Sequence, residues 1–181
     1  MRSHRFMLRS FAALPIIASL ASCQKEENSA PVTELTLRDE LTFSVAPSSQ
    51  TELDLTTTYD ARASVSGLLR EKGFSPSQLR DVRIEDARAV MIEPVNAPFT
   101  TIDAVELHFT QVAGTPTPFA HLDPAPKGIP ILELVVDHAD LTPFFNDGPQ
   151  TVHARLKTNG RLGTDTARVR FALKFRVKAG E

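Results

Sequence analysis

Asp137, His138 and Asp140, with Asp147 shortly after, place carboxylates and an imidazole in one short stretch, the donor types that divalent ions accept. Their spacing matches no metal motif, and aspartates at strand ends cap turns and helices, so capping is the expected role and no metal site is expected. A second group lies in the proline-rich segment 111–128, where Phe119, His121 and Asp123 supply an aromatic, a titratable and an acidic side chain among Pro116, Pro118, Pro124 and Pro126. A structureless segment of that length is either a binding element on a rigid scaffold or an insertion stiffened by proline. A third group is cationic. Arg155 and Lys157, then Arg168, Arg170, Lys174 and Arg176, alternate along the last two predicted strands, and a hairpin would join them into one basic face for anionic headgroups, phosphates or an acidic protein. The same alternation also describes a plain solvated face whose cations pair with carboxylates such as Glu52, Asp54 or Glu133. His108 and His153 stand singly among charged residues and read as surface histidines. Ser44, Ser64 and Ser66 have no base that the sequence identifies, and there is no Gly-x-Ser-x-Gly, phosphate-binding glycine loop, His-Glu-x-x-His or cysteine pair. The expectation is a chain that is not an enzyme and uses no cofactor.

The remaining reactive residue is Cys23, the only cysteine. Arg2, Arg5 and Arg9 make a basic start, and Phe11 to Leu20 form an apolar run broken only by Pro15 and Ser19, the layout of a secretory signal. The run is too short to span a bilayer, which takes about 20 apolar residues. Leu20, Ala21, Ser22 and Cys23 follow as a branched apolar residue, two small ones and the cysteine. This tetrad resembles the lipobox of bacterial lipoproteins. The resemblance implies cleavage before Cys23 and acyl chains on its sulfur and amine, more than the single chain that binds membranes only marginally. Gln24 rather than Asp after the cysteine implies sorting to the outer membrane under the enterobacterial pattern. The expected location is the bacterial cell envelope, with the lipid bilayer as one partner through Cys23 and an envelope protein as the other.

Residues 23–33 contain Lys25, Glu26, Glu27, Asn28, Ser29 and Pro31 and almost no apolar surface, so they read as a flexible tether between the signal (1–22) and one folded domain (34–181). With Cys23 taken by lipid, the domain has no thiol for a disulfide and depends on a buried core. Three of the 20 Lys and Arg precede Cys23, leaving 17 against 22 Asp and Glu, a mildly acidic balance that argues against nucleic acid.

Period-two alternation then dominates. Leu35, Leu37, Leu41, Phe43 and Val45 share one face, with Asp39 interrupting it, so this segment is either two short strands or one with a bulge. Leu53 and Leu55 mark a second strand. Val82 and Ile84 share one phase while Ala87, Ala89 and Met91 share the other, which a bulge around Glu85 to Arg88 explains. Val105, Leu107 and Phe109 form another strand with Glu106 and His108 outward, and Leu132, Leu134 and Val136 another. Val152, Ala154 and Leu156, a turn at Asn159-Gly160, and Val169, Phe171, Leu173, Phe175 and Val177 complete the pattern. One amphipathic helix carries Ala61, Val65, Leu68 and Leu69, N-capped by Asp60 and closed by Gly73; Ser75–Gln78 and Thr142–Phe145 read as single helical turns.

The expected fold is mainly β: an antiparallel two-sheet sandwich, immunoglobulin-like in architecture, with one helix. A closed barrel shares the same periodicity. The leading functional expectation is a lipid-anchored, non-catalytic interaction domain of the envelope. The other is a small-ligand or glycan module using segment 111–128, disfavoured by a single tyrosine and no tryptophan.

Overall fold

The computed structural model describes residues 31–110, 115–160 and 165–180. The signal, Cys23 and most of the tether lie outside these residues. Strands β1 (Thr33–Val45), β9 (Ala167–Ala179), β3 (Leu79–Glu93) and β6 (Ile131–Glu133) form one antiparallel sheet in the order β1-β9-β3-β6. Strands β2 (Glu52–Tyr59), β8 (Gln150–Thr158), β4 (Ile102–Thr110), β5 (Thr117–Leu122) and β7 (Val135–Val136) form the other in the order β2-β8-β4-β5-β7. The fold is a β-sandwich, and one cluster of buried apolar side chains fills the space between the sheets.

Alternation explains the core. β9 turns Val169, Phe171, Leu173, Phe175 and Val177 inward, and β4 turns Val105, Leu107 and Phe109 inward, all of them buried. Phe109 stands at the centre of an aromatic group, with ring centroids 4.7 Å from Phe119, 4.9 Å from Phe144 and 6.2 Å from Tyr59. Phe144 and Phe145 come from α2 (Thr142–Asn146), and Phe145 meets Phe175 of the opposite sheet edge-on at 5.2 Å. Asp140 starts this helical turn by accepting from the Thr142 backbone N–H at 2.9 Å, the capping role expected of it. α1 (Ala61–Glu71) buries Ala61, Val65 and Leu69, and Asp60 caps it by accepting from the Ala63 N–H at 2.9 Å. Gly73 follows at φ 82°, a left-handed conformation that glycine adopts without strain.

The bulge expected in the third strand is present: the register of β3 against β9 shifts between Ile84 and Asp86, turning Val82 and Ile84 and then Ala87 and Ala89 inward. β1 corrects the alternatives posed for it. It is one strand whose register against β9 is unbroken from Thr33 to Val45, so Asp39 faces inward, where it accepts a hydrogen bond from the Tyr59 hydroxyl. Burial, with the Asp39 carboxylate beside it, pushes the Tyr59 phenol well up and keeps it a donor. An inward charge on a long edge strand also discourages edge-to-edge pairing.

The sandwich has two distinct ends. Pro31 lies against Gly180 at the end that carries α1, α2 and the 3₁₀ turn Pro76–Gln78, where the Gly180 N–H donates to the Gln78 carbonyl. β1 runs away from that end for roughly 40 Å at about 3.3 Å per residue. The turns that follow Val45, Glu93, Leu122 and Thr158 gather at the far end.

Replacing Phe109 by Ala removes a wholly buried ring from this junction. The expected loss is about 3–5 kcal/mol. It is read as a lower urea midpoint at an unchanged denaturant slope.

Candidate functional site

The outer face of the five-stranded sheet is where polar residues from separate strands meet. Register places Asp54, Arg155, Glu106 and His121 side by side across β2, β8, β4 and β5. The neighbouring row toward the far end runs Glu52, Lys157, Ala104. Ala104 is short among long side chains, so the face dips there into a groove of about 510 Å³, bounded by both rows and by Asp123. Arg155 Nη1 stands 3.8 Å from Glu106 Oε1, an exposed pair of little energetic weight. Among the described residues Lys157 has no ion-pair partner, so its ammonium is available at the groove.

A pair of histidines borders the groove. His108 and His153 occupy opposed positions on β4 and β8, and their rings stack at 4.6 Å and 11°. His153 Nδ1 lies 2.9 Å from Asp54 Oδ1; an ionised carboxylate only accepts, so that nitrogen donates. His108 is 0% exposed and, among the described residues, neither ring nitrogen has a hydrogen-bond partner. Its nearest carboxylate oxygen, Glu106 Oε1, is 3.6 Å from Nδ1, beyond a good hydrogen bond. Burial, reinforced by the nearby Arg155 and His153, lowers its pKa from the ordinary 6.5, so the imidazole is neutral at pH 7. Thr110 Oγ1, the next outward position on β4, is likewise buried without a partner among the described residues. The expectation of an ordinary surface histidine at 108 is thereby corrected: its position is outward, but its neighbours cover it.

The structure redistributes the residues singled out from sequence. Segment 111–128 is not structureless, because 117–122 form β5; residues 111–114 lie outside the described part. A bulge in β5, where Leu107 pairs with Ala120 and His108 with Pro118, lets Phe119 and Ala120 both face inward. Phe119 is therefore a core residue, 0% exposed, and not a binding aromatic. His121 and Asp123 do reach the groove, and His121 Nδ1 lies 3.3 Å from Asp137 Oδ2.

The single basic face is also corrected. β8 and β9 belong to opposite sheets, so Arg155 and Lys157 look away from Arg168, Arg170, Lys174 and Arg176. On that second face Arg168 pairs with Glu93 at 3.0 Å, Arg170 with Glu40 at 3.3 Å and Lys174 with Glu85 at 2.7 Å, while Arg176 has no ion-pair partner among the described residues. A broader depression of about 750 Å³ over Ala172 lies among these paired charges. The His138 carbonyl accepts from Arg83, and among the described residues no three His, Cys, Asp or Glu side chains converge as a metal site.

Sequence reading did not connect Glu52, Asp54, Ala104 and Glu106 with the groove. Each alternates outward on its own strand, which was legible; that the strands lie in the order β2-β8-β4-β5 was not.

No protein-family model and no curated protein matches the chain. Among solved structures, a chain from Desmodium yellow mottle tymovirus aligns over 99% of this chain and 97% of its own length, at 9% identity and a TM-score of 0.31, a likeness too slight to bear on function.

The His108 environment sets a pH dependence with a definite sign. Its pKa is lower folded than unfolded, so as pH falls below 6.5 the unfolded chain takes up the proton first and stability drops until the folded-state value is passed. Thermal unfolding of the wild type should shift down between pH 7 and pH 5 relative to His108→Phe. That variant keeps the stack on His153 and, with no unpaired nitrogens to bury, should be at least as stable at pH 7.

Proposed function

We propose that this chain is a lipid-anchored protein of the bacterial cell envelope, held through an acylated Cys23, whose sandwich binds a protein partner without catalysis through the groove over Ala104. The anchoring part rests on the Leu20-Ala21-Ser22-Cys23 tetrad after its basic and apolar lead. The observation that carries the binding part is the polarity of the sandwich. The chain enters at Pro31 beside the helices, and the groove opens toward the other end, the end an anchored domain presents away from its attachment. A fully extended stretch from Cys23 to Pro31 adds at most about 30 Å of reach. An interaction face with a mixed polar rim and an unpaired cation suits a specific, reversible contact.

A small-ligand module is the second reading, transferred from segment 111–128 to the groove. Its volume of about 510 Å³ lies within the usual range of ligand sites. A specific ligand would raise the unfolding temperature in proportion to its occupancy.

The test uses the full chain in a Gram-negative host fed a clickable palmitate, with a photo-crosslinking residue at position 104 or, on the opposite sheet, at 172. Wild type should carry label and float with membranes, and Cys23→Ala should do neither. Crosslinked product should come from 104 and not from 172, and should be lost in Cys23→Ala. An unlabelled wild type sinks the anchoring, and crosslinking that does not distinguish 104 from 172 sinks the groove as the binding face.

A further inference from the structure

We propose that His108, stacked on His153, is a proton-operated control on the groove: protonation of His108 draws Glu106 onto its Nδ1 and leaves the Arg155 guanidinium at the groove beside Lys157 without its acidic neighbour. The inference deepens the reading of the groove as a binding face and rests on it for its biological use, although the coupling itself needs no partner.

The geometry supplies each part. His108 is wholly buried, both ring nitrogens lack partners among the described residues, and its ring lies flat on His153 at 4.6 Å. A buried polar group left unpaired costs free energy, and native structures rarely keep one without a use. The charged groups around it come from three strands. Asp54 stands on β2, His153 and Arg155 on β8, and Glu106 on β4, while β5 sets the uncharged Pro118 opposite His108. Two residue pairs along β5, His121 is occupied with Asp137.

In the neutral state the stack is undisturbed, and Glu106 lies between two claimants, 3.8 Å from Arg155 and 3.6 Å from His108 Nδ1. His153 is held in place by Asp54 through its Nδ1 at 2.9 Å. A charge on His108 faces two cations, His153 and Arg155, at close range in a site shielded from water, where such repulsion is only weakly screened. Glu106 is the carboxylate within reach, and closing about half an ångström brings it into hydrogen-bonding distance of Nδ1. Charge-assisted bonds to a buried imidazolium are stronger than an exposed, 3.8 Å contact to Arg155, so Glu106 closes on His108. Asp54, Glu106 and Arg155 all line the groove, so the protonated form presents a groove with the Glu106 carboxylate drawn toward His108 and the Arg155 guanidinium no longer facing it. Acid therefore favours an anionic partner segment.

The test is an NMR titration of the full chain in detergent micelles from pH 7.5 to 4.5, following the histidine ring signals, the Arg155 side-chain N–H and the Ala104 amide. The expected result is a His108 midpoint below the ordinary histidine value of 6.5, with Arg155 and Ala104 moving at that same midpoint. In His108→Phe the groove signals should lose the transition while distant core amides are unchanged. His153→Gln, at a more accessible position, removes the repelling cation and should raise the His108 midpoint. The proposal is overturned if His108 titrates at or above 6.5, or if Arg155 and Ala104 do not follow it. Failure here leaves crosslinking from position 104 at neutral pH unaffected, and failure of that crosslinking leaves this titration unaffected, so the two readings fall separately.

Discussion

Contact between the inward faces of β9 and β4, bridged by the phenylalanines of α2, is the interaction on which the rest of the molecule depends. Phe175 and Phe109 belong to opposite sheets, and Phe145 touches both, at 5.2 Å and 6.4 Å. Without a disulfide in the folded part, the two sheets are held by buried apolar surface, and these rings bury more of it per residue than the aliphatic positions around them. Tyr59 extends the same group to the edge of the sandwich, where its hydroxyl reaches Asp39 on β1 and ties the longest edge strand to the opposite sheet.

Because stability resides between the sheets, the outer faces are free to differ. The four-stranded sheet sets three ion pairs at 2.7–3.3 Å along β9, with Arg38 and Arg176 left unpaired among the described residues. The five-stranded sheet differs in what it buries. It leaves Lys157 without an ion-pair partner among the described residues, holds Arg155 loosely, and buries His108 with no hydrogen-bond partner among them. Exposed pairs contribute little to stability, so the contrast concerns what each face can bind more than how firmly the fold is held.

The sandwich was legible wherever a strand buries one side. The phase change in β3, the cap at Asp60, the glycine after α1 and the aromatic turn at Thr142 each follow from local rules that hold whatever the partner element is. Phe119 and His108 were misread for the opposite reason. A bulge set by pairing with β4 turns two successive residues of β5 inward, and an outward histidine becomes buried only through what its neighbours on adjacent strands place over it. Neither effect leaves a mark in the periodicity of a single strand.

The basic residues make the same distinction sharply. Alternation puts Arg155 and Lys157 on the outer side of β8, and Arg168, Arg170, Lys174 and Arg176 on the outer side of β9, and both placements hold. The turn signal at Asn159-Gly160 suggested that the two strands pair, yet the chain crosses there from one sheet to the other. A period of two specifies which side of a strand meets the core, and that side is the same in either sheet. The sequence by itself therefore determined which residues face inward along strands whose alternation is intact, where helices begin and end, and the lipobox-like tetrad that suggests anchoring. Strand order, and with it the meeting of Asp54, Arg155, Glu106 and His121 around Ala104 beside two stacked histidines, was decided only in the tertiary structure, because hydrogen bonds between strands distant in sequence set it.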